Sequence, residues 1–292
     1  MIQINKNICN NCGICYDVCP CYVFKLDRIP DKKVITVRYP DFCNKCAHCV
    51  ALCPLKAIYH ESIASVNLEK LHKINITTYD IKNLIFSRHS VRCFKSDPVA
   101  KDLIDQMIES AIYAGTSGNL QTEQFSIINN EKKLNDLEEL VIDLLWNGGV
   151  KFFSDNGFIG KLLSIKYGNE LTAHYKNTHK IIKQRRENNE LKGMILRNAH
   201  TLILVHGLKM NSLGYTNSAI AIRNMELVAL TLGLGTCWAG QLISAANMNS
   251  QKINKFIGLD KSRKIYGAIM VGYPKYRINI KLPRNSREIF TI

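Results

Sequence analysis

Eight of the chain's eleven cysteines fall between residues 9 and 53, in two runs with identical spacing. Each run reads C-x2-C-x2-C-x3-C-P, and the second follows the first at an offset of 34 residues. A C-x2-C-x2-C loop brings three soft thiolates to three corners of an iron–sulfur cubane, and the fourth thiolate comes from farther away. The candidate cluster ligands are Cys9, Cys12, Cys15 and Cys19 in the first run, and Cys43, Cys46, Cys49 and Cys53 in the second.

This pattern resembles that of bacterial two-cluster ferredoxins, including the proline after each fourth cysteine. The resemblance implies two [4Fe–4S] clusters with crossed ligation, in which Cys53 completes the cluster of Cys9, Cys12 and Cys15 while Cys19 completes the other. Zinc is the alternative metal, but zinc sites take four ligands in two separated pairs. Two unbroken runs of four cysteines therefore favour two cubanes.

Three cysteines, Cys21, Cys93 and Cys237, lie outside both runs. Free cysteine packs as a small hydrophobe, so we predict that all three are bystanders in the cores of their domains. The cysteine loops themselves are too irregular to support a hydrophobic core. We therefore expect the N-terminal module to be held together by what it binds.

The domain organisation follows from length and from a change in pattern near residue 75. With 292 residues and 46% hydrophobic composition, the chain can hold one ordinary domain and a smaller one. Residues 60–80 contain neither cluster ligands nor a strong periodic pattern, which suits a linker or a short docking helix. We predict a ferredoxin-like domain over residues 1–75 and a second domain over residues 76–292.

Hydrophobic spacing in the second domain predicts alternating helices and strands. Asp97-Pro98 favours a helix start, and helical spacing continues through Ile112 to a stop at Gly115. Further predicted helices cover 134–146 and 219–232, and predicted strands cover 125–128, 201–206 and 265–272, with a short strand at 34–37 in the first domain. This mixture predicts an α+β sandwich.

A basic segment near residue 90 suits a flavin phosphate and the electron-rich pyrimidine edge of the ring. Arg88, Ser90 and Arg92 supply two guanidinium groups and a hydroxyl within five residues. With Phe94, the segment resembles the Arg-Arg-Ser-x-Arg-x-Phe motif of the nitroreductase superfamily of FMN enzymes, except that His89 replaces an arginine. The resemblance implies that Arg88 and Ser90 contact the phosphate and ribityl chain, that His89 lies in the cofactor site, and that Arg92 lies near flavin N1 and O2.

A second segment, residues 114–121, resembles the superfamily's Ala-Pro-Ser-x-x-Asn-x-Gln turn, with Gly115 in place of proline. In the superfamily this turn contacts the flavin across a dimer interface. The resemblance therefore implies that Ser117, Asn119 and Gln121 bind FMN in trans. Small and amide residues are also what an ordinary turn would use.

A third segment, residues 232–240, is similar to the superfamily's Gly-Leu-Gly-x-x-Trp-x-Gly stretch. That stretch presents backbone amides to the N5 and O4 edge of the flavin, which implies roles for Trp238, Ala239 and Gly240. Its first two glycines end a long apolar helix rather than follow a strand. A dinucleotide-binding fold is therefore disfavoured.

A fourth segment joins Gly-Tyr-Pro-Lys at residues 272–275 to a later Pro-Arg pair. The superfamily's arginine in this pair binds phosphate, so the resemblance assigns that role to Arg284 before Lys275 or Arg277. Four such segments in the right order imply an FMN cofactor. They also imply that the second domain forms a homodimer.

The formal charge of +15 belongs mainly to the second domain. Residues 1–70 carry nine Lys/Arg and six Asp/Glu, a net of +3, which leaves +12 for the rest. The densest stretch, residues 179–186, lacks aromatic interleaving, so we interpret it as a solvated helix face and predict no nucleic acid partner. The sequence shows neither a signal peptide nor an apolar run of about 18 residues, which predicts a cytoplasmic protein without a membrane partner.

The combined resemblance implies flavin-based chemistry without an indispensable protein acid or nucleophile. We expect electrons to pass from a low-potential donor, ferredoxin or NAD(P)H, through two [4Fe–4S] clusters and FMN to a small organic acceptor such as a nitroaromatic or quinone. Flow in the opposite direction, from NAD(P)H outward through the clusters, stays open. The expected protein partners are a second copy of the chain and a ferredoxin or flavodoxin.

The alternative function is a redox sensor or electron-transfer adaptor without substrate turnover. In the superfamily an insertion corresponding to residues 146–192 covers the flavin. Here it carries Trp146, Phe152, Phe153, Phe158, Tyr167 and Tyr175. These aromatic side chains suit either a lid over a planar substrate or ordinary core.

Overall fold

The structure is a computed structural model that describes residues 2–30, 32–63, 70–153, 165 and 169–292. The side chains of 148–153, 169–172, 174, 175 and 178 are outside this description. The chain divides into two compact units. The first comprises Met1–Asn75 with Thr116–Leu120, and the second comprises Ile76–Gly115 with Gln121–Ile292.

The first unit is built from antiparallel strand pairs and single-turn helices. Strand β1 (Ile2–Ile4) pairs with β4 (Ile58–His60), and β2 (Phe24–Ile29) pairs with β3 (Lys32–Val37). Helix α1 spans Ile14–Asp17 and helix α2 spans His48–Ala51. The strand predicted at residues 34–37 is confirmed as part of β3.

The internal repeat recurs in the backbone of this unit. Positive φ angles occur at Asn11 and Lys45, at Gly13 and Ala47, and at Tyr22 and Lys56, three pairs that share the 34-residue offset. Left-handed backbone is uncommon outside glycine, so its recurrence at equivalent positions shows that the two halves fold in the same way.

The first unit has a small hydrophobic core that its strands supply, which corrects the prediction that the module is held together only by what it binds. Ile2, Val23, Phe24, Ile35 and Ile58 are all less than 8% exposed and contact one another. Half-buried cluster cysteines pack against them. The prediction failed because each strand contributes only one or two of these residues, so no local period reveals them.

The second unit is centred on an antiparallel sheet in the order β5-β6-β8-β7. Its strands are β5 (Gln124–Ile128), β6 (Thr201–Leu208), β7 (Gly235–Trp238) and β8 (Arg263–Gly272). Its helices are α3 (Thr78–Ser87), α4 (Lys101–Ile112), α5 (Glu131–Phe153), α6 (Asn169–Glu187), α7 (Gly214–Thr231), α8 (Gly240–Met248) and α9 (Ser250–Ile257). Among the residues described, no helix is long and apolar enough to cross a membrane.

Helices cover both faces of this sheet, which confirms the predicted α+β sandwich. Alternate residues of β6 point to opposite faces. Leu202 and Leu204 join the core cluster that contains α5, α8 and α9, while Ile203 and Val205 join the cluster that contains α4 and α7. The predicted strands and helices of this domain are confirmed, although α4 begins at Lys101 rather than near Pro98, and α7 begins five residues before the predicted start.

A buried histidine makes the stability of the second unit depend on pH. His206 on β6 is 3% exposed, its Nδ1 accepts from Arg263 Nε at 3.0 Å, and its Nε2 lies 2.9 Å from Ser126 Oγ. Burial, and then the charge of Arg263, lowers the pKa of His206 to about 4. The unfolded chain takes up this proton near pH 6.5, so folding stability falls as the pH drops from about 6.5 towards 4.

We expect the native chain to lose about 1–3 kcal/mol more of its free energy of unfolding than His206→Gln between about pH 7 and about pH 4.5. Urea unfolding of both proteins at the two pH values measures this difference. The glutamine variant will have a lower stability overall, so the readout is its change with pH. Equal pH-dependent losses in the two proteins would contradict the prediction.

Candidate functional site

The structure gathers the eight predicted cluster ligands into two sets of four. One small cavity of the first unit is lined by Cys9, Cys12, Cys15 and Cys53. A second is lined by Cys19, Cys43, Cys46 and Cys49, together with Cys21. Each set combines three cysteines of one run with the last cysteine of the other, which is the grouping that crossed ligation requires.

The chemistry of these cysteines fits iron–sulfur clusters. All eight are free thiols, and burial is the main cause that raises the pKa of both Cys15 and Cys49 to about 11. Thiolate is the ligand form, so metal binding must displace these protons. Among the described residues no group of three or more His, Cys, Asp or Glu is placed to hold one metal ion. A cubane does not need such a group, because each of its irons takes one cysteine.

Backbone amides point at sulfurs of predicted cluster ligands in both halves of the repeat. The Asn11 N–H donates to Cys9 Sγ at 3.4 Å, and the Lys45 N–H donates to Cys43 Sγ at the same distance. Both amides belong to residues with positive φ, so the left-handed turns aim these donors. Amide donors beside cluster thiolates stabilise their negative charge.

The second unit contains a cavity of about 660 Å³ beside the segment of residues 88–94. This segment runs along the edge of the sheet, where the Val91 N–H donates to the Thr236 carbonyl at 2.9 Å. Farther along, the Lys95 N–H donates to Tyr273 O at 2.8 Å, and the Lys275 N–H donates to Cys93 O at 3.0 Å. The backbone of β7 and the chain after β8 therefore fix the segment that carries the predicted flavin contacts.

Glycines allow this close approach to the sheet. A Cβ on Gly235 would lie 2.6 Å from a methyl group of Val91, and a Cβ on Gly272 would lie 2.8 Å from the Phe94 ring. The other cavity-lining glycine of this turn, Gly233, has a φ of +72°. Glycine at 235 thus lets the 88–94 segment pack directly on β7.

Gly235→Ala is expected to lower the free energy of unfolding by about 1–3 kcal/mol, because its methyl group overpacks against Val91. Gly207→Ala is the matched control, since this strand glycine has only ordinary contacts at 3.5 Å and beyond. Urea unfolding of both variants measures the effect, and we expect Gly207→Ala to stay within about 0.5 kcal/mol of the native chain. If Gly207→Ala lowers the free energy of unfolding as much as Gly235→Ala does, the contact with Val91 is not the cause of the destabilisation.

Three of the predicted flavin contacts, His89, Ser90 and Arg92, line this cavity. Both ring nitrogens of His89 are buried and have no hydrogen-bond partner among the described residues. A buried polar group without a partner is costly unless a ligand satisfies it. His89 therefore marks the cavity as a place where a polar ligand belongs.

Arg88 is not among the residues that line this cavity. Its Nη1 lies 3.4 Å from Oε1 of the buried Glu226, whose Oε2 lies 3.4 Å from Arg223 Nη1. Trp238 is 36% exposed and Ala239 is buried, and neither they nor Gly240 lines the cavity.

The predicted second segment lies partly in the first unit. Ser117 and Asn119 belong to a 3-10 turn, Ser117–Asn119, and the Asn119 side-chain amide donates to the Asn44 carbonyl at 3.0 Å. Gln121 has a φ of 48° and is counted with the second unit. The role of this segment in binding FMN across a dimer stays a prediction.

Two further cations line the cavity, Arg277, which the sequence analysis ranked behind Arg284, and Lys281, which it did not consider. Lys281 Nζ lies 4.0 Å from the centroid of the Phe86 ring, which also lines the cavity. Arg284 is exposed, its Nη1 donates to the Pro283 carbonyl at 3.2 Å, and it is not part of the lining. Only proximity to the Gly-Tyr-Pro-Lys motif signalled the importance of Arg277.

The cysteines outside the cluster pattern differ from one another. Cys21 is half-buried against the core of the first unit, and Cys237 is buried. The prediction that Cys93 is buried is wrong, because Cys93 is exposed and lines the cavity. Phe94 turns towards the core, and alternation along an extended segment then turns Cys93 outward.

Of the six aromatic residues considered for a lid, Trp146 is the one whose side chain is described. It packs against the core cluster, and its ring stacks on His179 with centroids 4.7 Å apart. The side chains of Phe152, Phe153, Phe158, Tyr167 and Tyr175 lie outside the described residues. For Trp146, the core interpretation is the one that the contacts support.

Comparison with curated proteins gives relatives that match about half of the chain. An NADPH-dependent oxidoreductase of Staphylococcus aureus strain USA300 is 24% identical over 162 residues, which are 56% of this chain and 53% of the relative. A second, from strain bovine RF122 / ET3-1, is 25% identical over the same length. The chain thus spans about half the length of the curated relatives it matches.

Solved structures show the same fold. A nitroreductase with bound FMN from Bacteroides fragilis NCTC 9343 is 22% identical with a TM-score of 0.54, and the match covers 74% of this chain and 99% of that chain. A nitroreductase with bound FMN from Desulfitobacterium hafniense DCB-2 is 15% identical with a TM-score of 0.53, covering 72% and 97%.

Family models match both parts of the chain. The model described as 4Fe-4S dicluster domain matches residues 8–57, the region of the two cysteine sets. The model described as Nitroreductase family matches residues 85–273, which include the 88–94 segment, the central sheet and the glycines beside the cavity. The chain belongs to the nitroreductase family.

Proposed function

We propose that this protein is an FMN-dependent oxidoreductase that passes electrons between a low-potential donor and a small organic acceptor, with two [4Fe–4S] clusters and one FMN in each chain. The observation that carries the proposal is the 660 Å³ cavity of the second unit, which combines the 88–94 segment with two further cations. Cavities of this size suit cofactors and small organic ligands.

The cavity lining suits a flavin mononucleotide. Arg92, Arg277 and Lys281 offer positive charge for the phosphate and for the pyrimidine edge of the ring. His89 offers buried ring nitrogens that need a polar partner. The FMN bound to the nitroreductases of the same fold supports this choice of cofactor.

The two cysteine sets of the first unit would each hold one [4Fe–4S] cluster. When bound, the clusters supply one-electron carriage and FMN supplies exchange between one-electron and two-electron chemistry. The chain's own residues hold and tune these groups. Backbone amides at Asn11 and Lys45 stabilise charge on cluster sulfurs, and the cations beside the flavin cavity favour the anionic reduced form of the ring.

The donor that we propose is ferredoxin or NAD(P)H, and the acceptor is a nitroaromatic or a quinone. The NADPH-dependent oxidoreductases of Staphylococcus aureus support a nicotinamide nucleotide as one donor. The cysteine sets support a one-electron protein donor, ferredoxin or flavodoxin, for which the basic second domain offers an attractive surface. The proposal also includes a homodimer and a cytoplasmic location.

Anaerobic stopped-flow absorbance on the fully loaded chain tests this function. We expect the flavin band to bleach after mixing with reduced ferredoxin or with NAD(P)H, and to recover through many cycles when a nitroaromatic is added. A flavin that is reduced but is reoxidised no faster than in buffer would contradict the reductase function. That outcome would favour a sensor or electron-transfer adaptor.

A further inference from the structure

His60 is a buried histidine in contact with a predicted cluster ligand. It ends strand β4, pairs with Ile2 of β1 and is 5% exposed. Its Nε2 lies 3.3 Å from Cys43 Sγ. On the other side of the ring, Nδ1 accepts from the Ser62 N–H at 3.2 Å and lies 3.0 Å from Ser62 Oγ.

These contacts fix the proton of the imidazole ring. A backbone N–H is always a donor, so Nδ1 of His60 must be an acceptor without a proton. A neutral imidazole then carries its single proton on Nε2. The Nε2–H group therefore donates to the sulfur of Cys43.

The internal repeat shows that this donor is present in one half only. The offset of 34 that relates Cys9 to Cys43 also relates Leu26 to His60. Leucine cannot donate a hydrogen bond. The two halves share the backbone donors to Cys9 and Cys43. The Cys9 set has one further backbone donor, because the Ala57 N–H donates to Cys53 Sγ at 3.2 Å. His60 gives the Cys43 set a side-chain donor, for which Leu26 offers no equivalent in the other half.

We propose that His60 is a positioning residue that raises the reduction potential of the cluster ligated by Cys43 above the value that this cluster would have without the histidine donor. This inference rests on the clusters of the proposed function. A reduced cluster carries one more electron and therefore more negative charge on its sulfurs. An N–H donor to a ligating sulfur stabilises that state, so the donor raises the potential.

Potentiometric titration of the fully loaded chain tests this role. Dithionite supplies one electron to each cluster, and electron paramagnetic resonance follows the two reduction steps. His60→Leu places the residue of the other half in this position and is expected to lower one midpoint. At a fixed potential, the ratio of reduced to oxidised cluster should fall about tenfold. This corresponds to a midpoint shift of about 59 mV for a one-electron couple. The other midpoint should not move.

Two matched variants separate the hydrogen bond from other effects. His48→Leu removes an exposed histidine that lines the same cavity but whose side chain makes no hydrogen bond among the described residues. For each cluster, we expect the ratio of reduced to oxidised protein at a fixed potential to stay within about twofold of the native value. His60→Gln keeps an N–H donor at about the reach of Nε2, so it should restore most of the shift.

A measurement on the native chain keeps the inference testable if His60→Leu loses its clusters. With 15N-labelled histidine, pulsed electron paramagnetic resonance of the reduced protein should show coupling to one imidazole nitrogen, and the His48→Leu protein should show the same coupling. No coupling in either protein would overturn the inference. Unchanged midpoints in His60→Leu, or equal shifts of both midpoints, would also overturn it.

Iron and acid-labile sulfide in the native chain distinguish a failure of this inference from a failure of the proposed function. A chain without clusters would contradict the proposed function itself. A chain with two clusters whose midpoints ignore His60 would contradict only the tuning role.

Discussion

Cys19→Ala is expected to damage the cluster ligated by Cys43, Cys46 and Cys49 while it leaves the other cluster intact. Cys19 lines the cavity of those three cysteines, although it belongs to the first run of the sequence. Loss of one thiolate leaves one iron of that cubane without a protein ligand. Iron should fall from about eight per chain to between about seven, if one iron leaves, and about four, if the whole cluster is lost. Iron and acid-labile sulfide analysis measures the loss.

Cys21→Ala is the control for this change. Cys21 lies two residues away, lines the same cavity and is also half-buried, but it falls outside the ligand pattern. We expect it to keep the full iron content.

The spectrum of the remaining cluster tests the crossing itself. With crossed ligation, Cys19→Ala and Cys46→Ala should leave the same intact cluster, with the same electron paramagnetic resonance signal. If Cys19→Ala instead leaves the cluster that survives in Cys12→Ala, each run ligates its own cluster and the crossed assignment is wrong.

The sequence predicts best what depends on short-range spacing. The cysteine runs place three thiolates within seven residues, so their convergence follows from local geometry alone. The strand at residues 201–206 and the helix through Ile112 follow from hydrophobic period. The grouping of Cys53 with the first run needs the resemblance to ferredoxins, because the two are brought together by pairing of β1 with β4.

Features that depend on distant backbone contacts are not visible in the sequence. The core of the first unit collects single residues from all four of its strands or from positions beside them, and no window contains enough of them to show a period. Strand β7 has only four residues and begins at a glycine, so its sequence predicts a turn rather than a strand. His60 gains its importance from pairing of β4, which places a residue 17 positions after Cys43 against that sulfur.

The cations that line the 660 Å³ cavity were also hard to predict from the sequence. Arg277 and Lys281 follow β8 in a segment without regular structure, where no hydrophobic period marks them and only Arg277 lies near a recognised motif. The family resemblance instead points to Arg284. The cavity lining includes Arg277 and not Arg284, so geometry and resemblance favour different arginines for the phosphate, and this difference can be measured.

From the geometry, we expect Arg277→Ala to weaken FMN binding by about 10- to 100-fold. The reason is that a charge-assisted hydrogen bond contributes about 1.5–3 kcal/mol. Arg284→Ala is the matched control, since this exposed guanidinium contacts only the neighbouring Pro283 carbonyl among the described residues. Arg284→Ala should weaken FMN binding by less than about threefold. Quenching of FMN fluorescence on titration with the apoprotein of each variant measures both dissociation constants.

The reverse order of effects would assign the phosphate to Arg284, as the resemblance implies. The segment after β8 would then have to place Arg284 against a flavin from a position outside the cavity lining, for instance across the predicted dimer interface. Mixing Arg284→Ala chains with chains whose own cavity is disabled by Arg92→Ala would test that arrangement. FMN binding at half of the sites in the mixed dimer would show that Arg284 acts in trans. Tight FMN binding by Arg284→Ala alone, with weak binding by Arg277→Ala, places the phosphate at Arg277, because of these two arginines only Arg277 lines the cavity of its own chain.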